Sequence, residues 1–73
     1  MPTVWIWQIE WVETFAGNPK HIPAGDIENA LAKAKELGKG YNVGIIRGLT
    51  CIGHFQVATE EMQQELFRVK ALF

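Results

Sequence analysis

The chain has 73 residues, a formal net charge of −1, one cysteine and 48% hydrophobic residues. That balance describes one folded domain over residues 1–73 and excludes a disordered, strongly charged tail. A chain this short buries only roughly 60% of the surface its unfolded form exposes, and neither Cys51 alone nor two histidines supply a disulfide or a standard tetrahedral metal site to reinforce the core.

The segment Thr3 to Phe15, TVWIWQIEWVETF, is rich in tryptophan, isoleucine and valine and reads as a long strand. Period two places Trp5, Trp7, Ile9, Trp11, Glu13 and Phe15 on one face, and Val4, Ile6, Gln8, Glu10, Val12 and Thr14 on the other. Ala16 to Gly25 carries two prolines, two glycines and an asparagine, which predicts a loop with a short edge strand at Lys20 to Ile22. Asp26 supplies an N-cap oxygen, and Ile27, Ala30, Leu31, Ala34 and Leu37 recur at helical spacing, so a helix is predicted over about 26–37. Gly38 is expected to end it, with Lys35 and Lys39 complementing the helix dipole.

Tyr41 to Arg47 and Thr50 to Val57 read as two strands with a turn near Gly48, a hairpin across 41–57. Thr59 opens a second helix over about 59–72, with Glu60 and Glu61 in its first turn. Met62, Leu66, Val69 and Phe73 mark its apolar stripe, broadened by Phe67 and Leu72. The expected fold class is α+β, a small antiparallel sheet made of the long N-terminal strand and the hairpin, with two helices on one or both faces.

The near-neutral charge lacks the net positive field that non-specific nucleic-acid or membrane binding exploits. No apolar run approaches the ~20 residues of a membrane helix, and the N-terminus lacks the order of a signal peptide. With a single unpaired cysteine, the expected location is the cytoplasm.

Three tryptophans within Trp5 to Trp11 are the most unusual feature. Large aromatics fill a small core economically, and glycines at 44, 48 and 53 leave room for them, so core packing accounts for one face. Part of this face, or the mixed second face with Val4, Ile6 and Val12, then presents exposed anchors for a partner. The same rings suit stacking on unpaired bases, but Glu10 and Glu13 lie beside them and no lysine or arginine precedes Lys20.

Cys51 and His54 sit three positions apart, which in a regular strand puts them on opposite faces and argues against a metal or nucleophilic pair. Cys51 is expected in the core, and His54 at the surface or edge. Gly38-Lys39-Gly40 follows a helix and lacks the residues of a phosphate loop. The start at Pro2 resembles the small tautomerases, whose N-terminal proline acts as a base. That likeness covers Pro2 alone, since a proline-rich loop follows the first strand and the arginines are Arg47 and Arg68. No catalytic residue, metal ion or cofactor is expected.

In size, in its lone aromatic strand and in its unsupported core, the chain resembles the small phage-encoded host-takeover proteins. These are α+β modules that bind a large host machine and change its activity. The resemblance implies a non-enzymatic inhibitor or regulator of a host multisubunit enzyme, with bacterial RNA polymerase as the first target and CRISPR effector complexes beside it. The near-neutral charge departs from the strongly acidic DNA-mimic members.

The partner-binding residues expected are Val4, Trp5, Ile6, Trp7, Gln8 and Glu10, on a strand that pairs edge to edge with a strand of the partner. Lys20 and His21, in the loop Asn18 to Ile22, form a second patch with Arg47 across the sheet, and Val69 to Phe73 is a third contact or a cap on the core. A single-stranded nucleic-acid module and a homodimeric structural domain stand as alternatives.

Overall fold

A computed structural model describes residues 1–13 and 19–72. In chain order the elements are β1 (Thr3–Trp11), β2 (Lys20–Ala24), α1 (Ile27–Gly40), β3 (Ile46–Gln56) and α2 (Glu60–Arg68). The strands form one antiparallel sheet in the order β2-β1-β3, and with the two helices the fold is a small α+β fold. The tryptophan-rich strand is therefore central, with both its sides occupied. The expectation that β1 pairs edge to edge with a partner is overturned, because its backbone groups are already engaged by β2 and β3.

The predicted hairpin across 41–57 is a single eleven-residue strand, β3. Gly48 makes no turn; it lies opposite Glu10 in the ladder. A nine-residue β1 offers a continuous partner for the whole run, and that long-range pairing outweighs the local turn signal of one glycine. Two register irregularities, between Ile6 and Trp7 and between Glu10 and Trp11, let the strands stay together along their length. The third strand is β2, two residues longer than the predicted Lys20–Ile22 segment. It carries Pro23, which lacks an N–H and is tolerated at an edge.

Asp26 caps α1 as expected, its side chain accepting a hydrogen bond from the Asn29 backbone N–H at 2.8 Å. The helix then runs through Gly38 to Gly40. The left-handed residue after it is Asn42, at φ 57°, and the amides of Tyr41 and Val43 close on the Gly38 carbonyl at 3.1 and 2.9 Å. Gly38 serves close approach instead of termination. A Cβ there would stand 2.8 Å from the Val43 oxygen and 3.0 Å from Trp11 Nε1.

Thr59 caps α2 through its hydroxyl, which accepts from the Met62 N–H at 3.2 Å. The predicted helix over 59–72 stops at Arg68, and Val69 turns extended. The Leu72 N–H donates to the His21 carbonyl at 2.7 Å, so the segment after α2 lies along β2 instead of continuing the helix. Ala71 also packs against the core there, and this burial offsets the lost helical turn.

The core cluster is Ile9, Trp11, Ile22, Ala24, Ala30 and Ala34, with Trp7, Leu37, Val43, Ile46, Leu49 and Ala71 packed around it. The line of contact on α1 is Ala30, Ala34 and Gly38, small residues that let the helix sit close over Trp11. Fully burying a side chain such as Ile9 contributes about 1.5–3 kcal/mol relative to leaving it in water. Val4 and Pro23 are fully buried outside that cluster, on the strands that α2 contacts.

Candidate docking site

Pairing across the sheet defines its two faces. On the face that carries the core, Trp5 lies between Ala24 and His54, Trp7 between Ile22 and Cys51, and Ile9 between Lys20 and Leu49. Burial changes along this face. Trp11 and Ile9 are buried, Trp7 is half-buried with its indole N–H donating to the Ala24 carbonyl at 3.2 Å, and Trp5 is 37% exposed.

The cause is the placement of α1. Lys33 on one flank of the helix reaches the Pro23 carbonyl of edge strand β2 at 2.6 Å, so α1 sits toward that edge. Ile27 and Leu31, one helical turn apart, fall on the flank opposite Lys33, facing the β3 side. They are 56% and 38% exposed. Trp5 and Trp7 thus share the face covered by α1 with exposed Cys51 and His54 of β3, and Ile27 and Leu31 of α1 are exposed beside it.

Cys51 and His54 share this face because β3 has an extra residue, Ile52, between the positions opposite Ile6 and Trp7. A regular strand would have separated them, so the expectation of opposite faces fails at the irregularity. Cys51 is exposed, not buried as expected, with its Sγ donating to the Gly53 carbonyl at 3.6 Å. Among the described residues no group of three or more His, Cys, Asp or Glu is placed to hold a metal ion.

The other face is polar at its centre. Here Gln8 lies between His21 and Thr50, and Glu10 lies beside Gly48. His21 Nε2 is 3.3 Å from Gln8 Oε1, Gln8 Nε2 donates to Glu10 Oε1 at 3.3 Å, and Glu10 Oε2 is paired with the Arg47 guanidinium. A chain of side chains therefore crosses all three strands. The hydrogen bond and charge of Arg47, helped by Gln8, hold the Glu10 carboxyl below its ordinary pKa against a smaller opposing effect of burial.

The expected site residues separate accordingly. Gln8, Glu10, His21 and Arg47 are brought together in this network. Trp5 and Trp7 lie on the opposite face, beside the exposed Cys51 and His54. Lys20 is apart from the patch expected for it, with its ammonium 5.2 Å from the centre of the Tyr41 ring. Val4 is fully buried and unavailable to a partner, and Ile6 is half-buried. Asn18, expected in the second patch, lies outside the described residues.

Ile27 and Leu31 are the site residues that sequence reading placed in the core. Their helical spacing with Ala30 and Ala34 is real, but the stripe is broader than the line of contact. A signal was present in the alanines and Gly38, which mark the side of closest approach. Comparison of the chain with protein-family models, with curated proteins and with solved structures returns no match to any of the three.

Proposed function

We propose that this chain is a non-enzymatic interaction protein that docks on a larger protein and regulates it, and that the surface around Trp5, Ile27 and Leu31 forms a tryptophan-floored trough that serves as its anchor site. The observation that supports this reading is the exposure of Trp5, Ile27 and Leu31 around one open face of the sheet. Exposed tryptophan and aliphatic side chains grouped on one face are the composition of an interface hot spot, where a few desolvated anchors carry most of the affinity. The phage-regulator resemblance makes a host multisubunit enzyme the partner class and bacterial RNA polymerase the first target.

The cations give the competing nucleic-acid reading less support. Lys20 lies over Tyr41, Arg47 is tied to Glu10 on the opposite face of the sheet, and Lys33 and Arg68 meet only at the small space between α1 and α2. Binding a nucleic-acid backbone calls for a row of cations gathered along one groove.

The test is affinity capture from bacterial lysate with tagged wild-type protein, Trp5→Ala and Leu31→Ser, with Gln8→Ala as the opposite-face control, each captured set read by mass spectrometry and then against purified RNA polymerase. Capture of one large enzyme, lost in both trough variants and kept in Gln8→Ala, supports the reading. Capture lost only in Gln8→Ala would move the site to the polar face. No capture together with a stable dimer in light scattering would replace the reading with a self-associating domain.

A further inference from the structure

Away from the trough, a cavity of about 340 Å³ opens between α1 and α2 at the junction of β2 with α1. Gly25, Asn29, Lys33, Gln64, Phe67 and Arg68 contribute to its lining. No carboxylate is among the lining residues, so its charged groups are both cationic.

Lys33 is the unusual member. Its ammonium is partly withdrawn from water, and its hydrogen bonds go to the neutral carbonyls of Pro23, Phe67 and Val69. Among the described residues the ion pairs are Arg47 with Glu10 and Arg68 with Glu65, and Lys33 is in neither. Desolvating a cation without a counter-charge is unfavourable, and an anion brought beside it recovers Coulomb energy at low local dielectric. Burial accordingly lowers the Lys33 pKa from its ordinary value.

The remaining lining completes a recognisable chemistry. Asn29, Gln64 and Arg68 carry N–H donors suited to carboxylate oxygens, and one Arg68 nitrogen, Nη1, already donates to Glu65 at 2.9 Å, leaving its other N–H groups. The Phe67 ring lies 6.0 Å from the Lys33 ammonium and supplies a flat apolar wall, packed so close to Gly25 that a Cβ there would stand 3.8 Å from its Cε2. The volume is that of a small-molecule site, not of a macromolecular groove.

We propose that this cavity binds a small organic acid, a carboxylate on a flat apolar body, with the carboxylate beside Lys33 and Arg68 and the body against Phe67. The site lies apart from the trough and does not depend on the docking reading. A carboxylate there supplies a counter-charge that no described residue gives Lys33; it acts on the lysine by charge, because the three ammonium N–H groups already reach carbonyls, while Arg68, Asn29 and Gln64 donate the hydrogen bonds.

The experiment titrates the ¹⁵N,¹³C-labelled chain with sodium benzoate and follows amide resonances, with benzylamine and inorganic phosphate as separate probes. Benzoate is expected to give saturable shifts at the Gly25 amide and at the side-chain amides of Asn29 and Gln64, and to raise the pKa of Lys33 followed at its Cε. Arg68→Gln, at a largely exposed position, is expected to weaken benzoate about tenfold, the loss of one charge-assisted hydrogen bond. Ala32→Leu, which keeps the charges and adds bulk to the lining, is expected to abolish binding while thermal unfolding shows both variants folded. The assignment is overturned by any one of four results: no saturable shift with benzoate, equal binding of benzylamine, phosphate binding as tight as benzoate, or unchanged affinity in the two folded variants.

Discussion

Trp11 and Trp5 are the same residue type on the same strand and the same face, yet Trp11 is 2% exposed and Trp5 is 37% exposed. The difference comes from α1. At the Trp11 end Gly38 brings the helix to contact, whereas at the Trp5 end the helix is displaced toward β2 and leaves the ring partly in water. Residue type and period determine that a side chain is suited to burial. What covers it is decided by a helix whose position depends on contacts far along the chain. The covered end stabilises the fold, and the uncovered end is the anchor of the proposed docking site.

That contrast breaks most severely at Trp11. Trp11→Ala should cost about 3–5 kcal/mol, the usual penalty for removing a buried aromatic and leaving its cavity, read as a fall in urea midpoint with the slope unchanged. Gly38→Val attacks the same contact from the helix side. A Cβ placed 2.8 Å from the Val43 oxygen and 3.0 Å from Trp11 Nε1 requires movement of backbone, so a loss of about 1–3 kcal/mol is expected. If either substitution leaves the midpoint in place, the packing at this end is not as described.

Asp26→Ala lies nearer the open end, removing the acceptor for the Asn29 amide, and should cost about 1 kcal/mol by the same measurement. Trp5→Ala should cost about 1–2 kcal/mol, less than Trp11→Ala because 37% of the residue is already in water, while removing captured partner. A stability loss as large as that of Trp11→Ala would show that Trp5 is a core residue and would end the docking reading.

The smallest effect concerns the polar face and its pH dependence. Arg47 lowers the Glu10 pKa below 4.5 in the folded chain, so at acid pH the unfolded chain binds the proton first. Stability from this pair is thus present above the unfolded pKa and lost as pH falls through the folded one. The pair is exposed, which makes the contribution small. Glu10→Gln should flatten only the acid limb of a stability-against-pH curve, and an unchanged acid limb would remove Glu10 from that account.

Much of the architecture was legible locally. The Asp26 and Thr59 caps are set by side chains that reach only a few residues ahead, and both helices begin where those caps predict. The alternation of β1 also identified which residues share the Trp5 face. Local reading failed where long-range contacts competed. Gly48 carries a turn signal, but β1 supplies a ladder through it. The run after α2 has helical spacing, but the edge of β2 takes Leu72 as a hydrogen-bond partner. Cys51 and His54 share a face because of an irregularity that exists only between paired strands.

The sequence by itself determined the α+β class, the helix starts and the aromatic face, since caps and periodicity are properties of neighbours along the chain. Only the tertiary structure decided that β1 is central, that Val4 is sealed while Trp5 is open, and that Lys33 stands beside a cavity without a carboxylate. These depend on which distant segments meet, and contacts between distant segments are settled by burial and by backbone hydrogen bonding summed over the whole fold.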